Sequence, residues 1–301
     1  MRIHVVGATG FLGRAVVEHL VGQGEDVVAI VRDLGKARTL LGSTVRLVDW
    51  SVLDHGVLEG SDAVINFAGA SIASGRWTSR RKRELRSSRI EPTHRIVEAI
   101  ARCNKPPRVL LNASAVGYYG HRGDEILTER STKGEGFLAD LCAEWEAAAC
   151  QAEPYSRVVR MRLGVVLGQG GGMLAQLAPI VSRLGTVIPG TGKQWLSWIS
   201  LTDVCRAIGW LIEQERVGGA VNLVAPEPVT METFMQALAE FYHRPVWFRV
   251  PEVVLRLALG QMATTLTDSI RAIPARLMAE GFSFDAADMA SALRAAGVPR
   301  R

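Results

Sequence analysis

The stretch IHVVGATGFLG, residues 3–13, decides the fold of this chain. An apolar run leads into glycines at positions 7, 10 and 13, and a helix-length segment from Leu12 to Gln23 overlaps the end of the stretch. Glycine lets the backbone turn tightly and approach a ligand with no Cβ in the way, and the N-terminus of the following helix offers free N–H groups to an anion. Strand, turn and helix together predict a pyrophosphate-binding turn for a dinucleotide. The alternative interpretation is a tight strand-to-helix turn without a ligand.

The same alternation of strand and helix continues along the chain. Apolar runs predict strands over residues 26–32, 45–50, 62–69, 108–115 and 156–168, and predicted helices cover residues 12–23, 78–103 and 139–151. Continuous apolar strands joined by helices indicate a parallel sheet that is buried on both faces. We therefore predict an α/β fold, a Rossmann-type doubly wound parallel sheet of six or seven strands.

The end of the second predicted strand indicates which dinucleotide binds. A site that prefers NAD places an Asp or Glu there, about 20 residues after the turn, to accept a hydrogen bond from the ribose 2′-OH. Arg32 holds that position in this chain. Arginine removes the acceptor and supplies a planar, charged donor that suits a 2′-phosphate. NADP(H) is therefore the preferred cofactor, and Asp33, the next residue, leaves NAD(H) open.

A second ligand contact is predicted where the strand over residues 62–69 ends in NFAG. Small residues at this place lie in the crevice where open α/β sheets bind ligands, so the backbone at Phe67 and Ala68 is expected to pass alongside the adenosine ribose. The other interpretation is a strand terminus followed by a turn, and the two are compatible.

The pattern changes after Gly168. Glycine-rich pieces, a strand-like WLSWIS (195–200), a helix from 202 to 213 and a strand-like AVNLVA (220–225) are followed by helical segments over 230–242, 252–260 and 285–296. We predict an NADP-binding Rossmann domain over residues 1–168, with further strands from about 195–225. Residues 169–301 are expected to form a mainly helical, substrate-side C-terminal subdomain that is not independent of the first.

Composition excludes several classes of protein. The chain of 301 residues is 48% hydrophobic and 22% charged, as globular domains are. Its four cysteines show no metal-ligand spacing, and Met1 leads into an apolar strand without room for a secretory leader, so we expect reduced thiols, no metal and a cytoplasmic location. The late apolar segment from Val253 to Leu266 is shorter than the roughly 20 residues of a membrane span and contains Arg256, so no membrane partner is expected.

The net charge of +5 is modest, and a basic segment from Arg76 to Arg89 contributes seven basic side chains against one Glu. A nucleic-acid site usually needs a larger basic face, so no nucleic-acid partner is expected and a solvated helix face is the preferred interpretation. A third option is that one or two of these residues reach a cofactor phosphate.

Several motifs in order along the chain carry a family resemblance: the glycine turn, NFAG, NASAVGYYG (112–120), RLGVVLG (162–168), SWISLTDVCRAI (197–208) and IPARLMAEGFSF (273–284). The chain resembles an extended short-chain dehydrogenase/reductase, and more narrowly the atypical branch called epimerase family proteins, a sugar-nucleotide epimerase branch. The resemblance runs from Met1 to about Ala296. It implies these cofactor-binding residues: Gly7, Thr9, Gly10, Phe11, Leu12, Gly13, Arg32, Asp33, Phe67, Ala68, Glu84 and Arg89.

The usual catalytic residues of the superfamily are replaced in this chain. Typical members use a Tyr and a Lys four residues apart, together with a Ser, to move a proton while the nicotinamide moves a hydride. The aligned pair here is Phe137 and Leu141, and Ala115 holds the serine position. Substitute candidates are Ser114, Tyr118 and Tyr119, although two aromatic residues that only pack the loop explain the tyrosines equally well.

Two further residues, Lys193 and Asp203, lie in the predicted substrate-side half of the chain. Lys193, in the glycine-rich segment 190–195, is a candidate contact to an anionic substrate, and a surface loop is the alternative. Asp203 is expected to cap or brace the following helix rather than to catalyse.

The sequence thus favours an NADP(H)-dependent epimerase or oxidoreductase that acts on a nucleotide sugar or another small carbonyl or hydroxyl compound. A cofactor-binding sensor or regulatory protein without turnover is the second hypothesis, and nucleic-acid binding is a distant third. A homodimer, formed through a helix pair, is usual for the superfamily and is expected on that ground alone.

Overall fold

The structure is a computed structural model that describes residues 1–286 and 288–296. Ala287 and residues 297–301, which the predicted C-terminal region includes, lie outside the described residues. The strands are β1 Arg2–Val6, β2 Asp26–Val31, β3 Arg46–Asp49, β4 Ala63–Asn66, β5 Val109–Ala115, β6 Ile126–Leu127, β7 Arg157–Leu163, β8 Val165–Leu167, β9 Thr186–Pro189, β10 Trp195–Leu196, β11 Trp198–Ser200, β12 Gly219–Leu223, β13 Val229–Thr230, β14 Val246–Val250 and β15 Arg271–Ala272. The α-helices are α1 Phe11–Gly22, α2 Leu34–Leu41, α3 His55–Leu58, α4 Ser79–Ala101, α5 Phe137–Cys150, α6 Gly172–Leu184, α7 Leu201–Glu213, α8 Met231–Phe241, α9 Glu252–Leu259, α10 Thr264–Thr267, α11 Ala275–Ala279 and α12 Met289–Ala295.

A parallel sheet forms the centre of the molecule. Within residues 1–286 and 288–296 it has seven strands in the order β12-β7-β5-β4-β1-β2-β3, and every neighbouring pair is parallel. Helices pack on its two faces, so the predicted Rossmann-type doubly wound sheet is confirmed. The inner strands are apolar on both sides, as a sheet covered on both faces requires: Val109, Leu110 and Leu111 of β5 are all fully buried.

The C-terminal half of the chain contributes to this sheet and also builds a second core. Strand β12 lies beside β7 at one edge of the sheet, and β11 pairs with β8. The second core contains Trp198, Phe234 and Leu238, all fully buried. The buried carboxylate of Asp203 on α7 accepts hydrogen bonds from the backbone N–H groups of Asp285 and Ala286, at 2.8 and 3.0 Å, which holds the segment before α12 against α7.

Helices α2 and α6 were not predicted, and neither were the short helices α3, α10 and α11. Helix α6 starts inside a glycine-rich segment and contains Pro179, and both glycine and proline have low helix propensity, so the sequence pattern does not predict a helix there. Helix α2 is only eight residues long and has one buried residue, Ala37, so its apolar periodicity is weak.

The order of the strands in the sheet indicates where the candidate site lies. Strand β1 lies between β2 and β4, which is where the order of connection reverses. Ligands of open α/β sheets bind outside the carboxyl ends of the strands at such a point, and the glycine turn follows β1 directly. Among the described residues, no helix is both long enough and apolar enough to cross a membrane.

Candidate cofactor and active site

The glycine turn connects the end of β1 at Val6 with the first residue of α1, Phe11. Gly7 adopts a φ of +77°, in the left-handed region that favours glycine. Gly10 is the N-cap of α1, and its N–H donates to the Gly7 carbonyl at 3.0 Å. Helix α1 has no acidic residue in its first turn, so its N-terminal amides and partial positive charge are available to an anion.

Two of the glycines are required by close packing as well as by the turn. A Cβ on Gly7 would lie 2.9 Å from both the carbonyl carbon and oxygen of Phe67, at the end of β4. A Cβ on Gly13 would overlap the Gly7 carbonyl oxygen and come within 2.7 Å of the Ala8 Cα. The structure therefore brings Gly7, Gly13 and Phe67 together in a cradle that a side chain would fill.

The residues after β2 have different surroundings. Arg32 is exposed. The carboxylate of Asp33 accepts a hydrogen bond from the Lys36 N–H at 2.9 Å and so caps the N-terminus of α2. This bond holds the Asp33 carboxylate at the helix, whereas the Arg32 guanidinium makes no hydrogen bond or ion pair with another described residue and can meet a ligand at the end of β2.

A buried amide network positions the NFAG segment. The Asn66 side chain donates to the Asn112 Oδ1 at 2.7 Å and to the Thr93 hydroxyl at 2.9 Å, and its Oδ1 accepts from the Ala68 N–H at 3.0 Å. The Phe67 N–H continues the sheet by donating to the Val6 carbonyl at 2.9 Å. The backbone at Phe67 and Ala68 is therefore fixed on the carboxyl side of β4, next to the glycine turn.

The two predicted residues of the basic segment behave differently. Arg89 is buried: it donates to the carbonyls of Leu85 and Ala70 at 2.9 and 3.0 Å, and its guanidinium lies over Trp145, 5.2 Å from the ring centroid. Burial lowers the pKa of Arg89. Arg89 thus braces the backbone just after NFAG, whereas Glu84 is exposed and pairs with Arg81 at 2.7 Å.

The three candidate catalytic residues lie close together at the end of β5 but are not equivalent. Ser114 is buried, and its hydroxyl donates to Glu146 at 2.7 Å. Tyr119 is fully buried; its hydroxyl donates to Asn222 at 2.7 Å and accepts from Arg162 at 3.0 Å. Burial raises the pKa of Tyr119, and the Arg162 charge opposes this only in part.

Tyr118 is half-buried. The Arg162 guanidinium carbon lies 3.5 Å from the centroid of its ring. Among the three candidates, only the Tyr118 hydroxyl makes no hydrogen bond to another described residue. It is therefore available to a substrate. Nothing in the sequence distinguishes the two adjacent tyrosines.

Phe137 and Leu141 lie in the first turns of α5 and belong to an apolar cluster. The Phe137 ring meets Trp77 edge to face, with centroids 5.4 Å apart, and the Lys82 ammonium lies 4.8 Å from the Phe137 centroid. Leu141 is buried in the same cluster. The cluster thus presents apolar groups and one lysine at the start of α5.

Lys193 is exposed, and its backbone N–H donates to the Thr191 hydroxyl at 3.2 Å. The loop itself is anchored by the buried Gln194, whose amide donates to the carbonyls of Pro189 and Leu266 at 2.8 and 2.9 Å. In the described part of the chain, Lys193 joins neither the hydrogen bonds of the glycine turn nor those around Tyr118.

Sequence reasoning missed the ion pair that supports this region. Arg162 on β7 and Glu146 on α5 are both buried. A signal was present: RVVRMRL places arginines in a strand predicted to be buried on both faces, and a buried arginine requires a partner. The sequence did not indicate which carboxylate that partner is.

Comparison with known proteins agrees with this geometry. The sequence profile of the NAD dependent epimerase/dehydratase family matches residues 3–223, and a domain of unknown function, DUF1731, matches residues 250–296. The chain belongs to this epimerase/dehydratase family. It is 35% identical over 303 residues to the chloroplastic homolog of epimerase family protein SDR39U1 from Arabidopsis thaliana, covering 98% of this chain and 86% of the relative.

Two solved structures of the family are also similar. Human epimerase family protein SDR39U1 (isoform 2), solved with NADPH, superimposes with a TM-score of 0.90 at 29% identity and covers 99% of both chains. A nucleoside-diphosphate sugar epimerase from Corynebacterium glutamicum gives a TM-score of 0.78 at 29% identity, over 100% of this chain and 59% of that one. The predicted membership of the atypical extended branch is confirmed by these relatives.

Proposed function

We propose that this chain binds NADP(H) across the carboxyl ends of β1, β2 and β4. The single observation that carries the proposal is the arrangement at the end of β2, the strand that pairs with β1, where Asp33 caps α2 and Arg32 is exposed. A pyrophosphate fits the turn at Gly7, Gly10 and Gly13, where the N-terminus of α1 supplies N–H groups. The presence of NADPH in the human SDR39U1 structure supports this choice of cofactor, and NAD(H) remains a second ligand of lower affinity.

The remaining predicted cofactor residues divide into direct and supporting contacts. We propose direct contacts from the turn residues Thr9, Phe11 and Leu12 and from the backbone of Phe67 and Ala68. Arg89 is proposed to act through the Gly69–Ala70 backbone that it braces. Glu84, exposed and paired with Arg81, is proposed to meet the cofactor only at its edge.

We propose an epimerase or oxidoreductase reaction on a small carbonyl or hydroxyl compound, with nucleotide sugars as the first class to test. The sugar-nucleotide epimerase from Corynebacterium glutamicum supports that class, and Lys193 is the proposed contact to its phosphates. The bound nicotinamide supplies hydride exchange. The proton is held by Tyr118, because Ser114 and Tyr119 are buried and hydrogen-bonded to Glu146, Asn222 and Arg162.

The second candidate function is cofactor binding without turnover, in a sensor or regulatory protein. It is favoured by the start of α5, where Phe137 and Leu141 belong to an apolar cluster and carry no proton. Both functions use the same cofactor site, so a measurement of catalytic turnover is needed to distinguish them.

Residues 1–168, with strands from about 195–225, are proposed as the NADP-binding part and residues 169–301 as the substrate side. The cytoplasmic location, the absence of a nucleic-acid partner and the homodimer stay predictions.

The test has two stages. Fluorescence titration is expected to give tighter binding of NADPH than of NADH, and equal or absent binding of both would contradict the cofactor proposal. Turnover is then tested over a panel of nucleotide sugars and small carbonyl compounds. Oxidoreductase turnover is followed at 340 nm, where the reduced nicotinamide absorbs, and epimerase turnover, which returns the hydride to the substrate, is followed by chromatographic separation of the substrate and product epimers. Tyr118→Phe should abolish turnover and keep NADPH affinity, with Tyr119→Phe as the matched variant that mainly lowers stability. A panel without any turnover, together with tight NADPH binding, supports the sensor instead.

A further inference from the structure

Lys82, in the first turn of α4, is a half-buried cation. Its ammonium lies 4.8 Å from the centroid of the Phe137 ring and makes no hydrogen bond or ion pair with another described residue. Two interpretations fit such a lysine. It is either a solvated side chain that only lies over an apolar neighbour, or a binding group whose anion is a ligand. The charges around Lys82 distinguish the two.

The acidic side chains near the starts of α4 and α5 are bound to other cations. Glu84 pairs with Arg81 at 2.7 Å, and Asp140 pairs with Lys133 at 2.5 Å. Helix α4 has no acidic residue in its first turn, so the partial positive charge of its N-terminus adds to the charge of Lys82. Among the described residues, no carboxylate is therefore paired with Lys82, and its surroundings attract an anion.

Lys82 lies at the end of the sheet where ligands bind. Helix α4 follows β4 along the chain, and β5 is the neighbour of β4 in the sheet. The Arg81 guanidinium donates to the carbonyl of Ser71, in the loop after β4, and so holds the start of α4 at the carboxyl ends of these strands. The start of α5 is there too, because a Cβ on Gly117, in the turn after β5, would lie 3.3 Å from the Leu138 Cβ. Lys82 is therefore on the same side of the sheet as the glycine turn and the candidate active site.

The surface beside the ammonium is apolar. The Phe137 ring meets Trp77 edge to face, and Met262 packs on the same cluster. A second cation borders this surface, since a Cβ on Gly260, two residues before Met262, would lie 3.3 Å from the Arg76 Nε. We call Trp77, Phe137 and Met262 the apolar platform. A ligand that fits these surroundings combines an apolar portion with an anionic group.

We propose that Lys82 binds an anionic group of the substrate, a carboxylate or a phosphate, while an apolar portion of the substrate lies on the apolar platform. This role of Lys82 rests on the proposed function, in which the substrate meets the nicotinamide at this end of the sheet. It selects, among the carbonyl and hydroxyl compounds proposed there, those that carry an anionic group beside an apolar portion. A neutral analogue leaves the half-buried ammonium without an acceptor, and sites of this kind discriminate strongly against such analogues.

The experiment is isothermal titration calorimetry of the full chain with three ligands that share a benzyl group. Phenylpyruvate carries a carboxylate, benzyl phosphate carries a phosphate, and phenylacetone is the uncharged ketone that matches phenylpyruvate. At least one anion is expected to bind the wild-type NADPH complex about 10-fold more tightly than phenylacetone does. Lys82→Gln should weaken that binding about 10- to 100-fold and leave the affinities for phenylacetone and NADPH unchanged. A loss confined to phenylpyruvate assigns a carboxylate to Lys82, and a loss confined to benzyl phosphate assigns a phosphate.

Two further variants control for the charge itself. Lys82→Arg keeps a cation at the position and should bind the anion more tightly than Lys82→Gln does. Lys133→Gln makes the same substitution near the start of α5, in a lysine that Asp140 already pairs, and should leave the anion affinity unchanged. Circular dichroism checks that each variant folds.

Three results would overturn the proposal. One is a wild-type chain that binds phenylacetone as tightly as both anions, or that binds none of the three ligands. Another is anion binding that Lys82→Gln weakens no more than Lys133→Gln does. The third is weaker binding of NADPH itself by Lys82→Gln, which would assign the ammonium to a cofactor phosphate.

Titrations with and without NADPH keep this proposal separate from the cofactor proposal. A wild-type chain that binds no NADPH contradicts the cofactor site, whatever the anions do. Normal NADPH binding without selectivity for the anions contradicts only the role of Lys82.

Discussion

Arg162 and Glu146 form a bidentate ion pair beneath the candidate active site, with Nε–Oε1 and Nη2–Oε2 distances of 2.8 and 2.9 Å. Burial alone would lower the pKa of Arg162, but the hydrogen bonds and charge of Glu146 outweigh it, so that the pKa is raised and the guanidinium stays charged. Glu146 also accepts from Ser114 at 2.7 Å, and the Arg162 guanidinium lies against the ring of Tyr118. One buried pair therefore connects β5, α5, β7 and the turn that carries Tyr118.

Removing Glu146 should destabilise the protein strongly. Glu146→Ala leaves the Arg162 charge buried without its partner, and such a change reduces the free energy of unfolding by about 3–5 kcal/mol. Replacing both residues by apolar ones, Glu146→Leu with Arg162→Met, should recover most of the loss because no charge is then buried. Urea unfolding gives the free energy of unfolding of the wild type, of Glu146→Ala and of the double variant.

Glu144 provides the control, since it lies on the same helix and pairs with Arg86 at 2.7 Å, with both side chains nearly half exposed. Glu144→Ala should lower the free energy of unfolding by less than about 1 kcal/mol. If Glu144→Ala and Glu146→Ala lowered the free energy of unfolding equally, the buried pair would stabilise the protein no more than the exposed pair does.

The central sheet was predictable because its strands are apolar on both faces, and the turn at Gly7 because its glycines follow the first strand. The buried ion pair that supports the candidate site was not predictable. Arg162 and Glu146 lie 16 positions apart on a strand and a helix, and their contact exists only once α5 packs on the sheet. Tyr118 and Tyr119 differ in burial because a 3-10 turn, Val116–Tyr119, points their side chains in different directions, which neither composition nor periodicity encodes.

The close packing of the glycine turn predicts a large difference between two Gly→Ala substitutions in the same helix. Gly13→Ala places a Cβ against the Gly7 carbonyl, so it should abolish NADPH binding and reduce the free energy of unfolding by about 1–3 kcal/mol. Gly22→Ala, at the end of α1, meets no atom within 4 Å and should be neutral or stabilising by about 0.5 kcal/mol. Urea unfolding and fluorescence titration test both variants, and normal NADPH binding by Gly13→Ala would show that the cradle is not the phosphate site.

Arg32 should determine the preference for NADPH over NADH. A charge-assisted hydrogen bond to a 2′-phosphate contributes about 1.5–3 kcal/mol, so Arg32→Ala should weaken NADPH binding roughly 10- to 150-fold and leave NADH binding unchanged. Arg80→Ala, an exposed arginine at the start of α4, is the control and should change neither affinity. If Arg32→Ala weakened both cofactors equally, Arg32 would not act on the 2′-phosphate.

His4 should make the protein less stable in mild acid. It lies in β1 between Val28 and Val64, is 2% exposed, and its Nδ1 has no hydrogen-bond partner among the described residues. Burial, assisted by the charges of Arg46 and Arg2 and opposed by Asp26, lowers the pKa of His4 from 6.5 to about 4. Between these values the unfolded chain binds a proton that the folded protein does not, so the free energy of unfolding falls as the pH drops from 6.5 to 4, by up to about 3 kcal/mol in total.

The variant His4→Leu isolates this effect, because leucine is apolar and binds no proton in either state. The difference in free energy of unfolding between wild type and His4→Leu should be constant above pH 7 and should shift in favour of the variant as the pH falls through the window. His55→Leu, at the exposed start of α3, replaces a histidine that is not buried and should show a much smaller shift. Urea unfolding at pH 7.5, 6, 5 and 4.5 measures the three curves. Parallel curves for wild type and His4→Leu would mean that His4 is protonated in the folded protein, and β1 would then have to accommodate a buried charge beside the glycine turn.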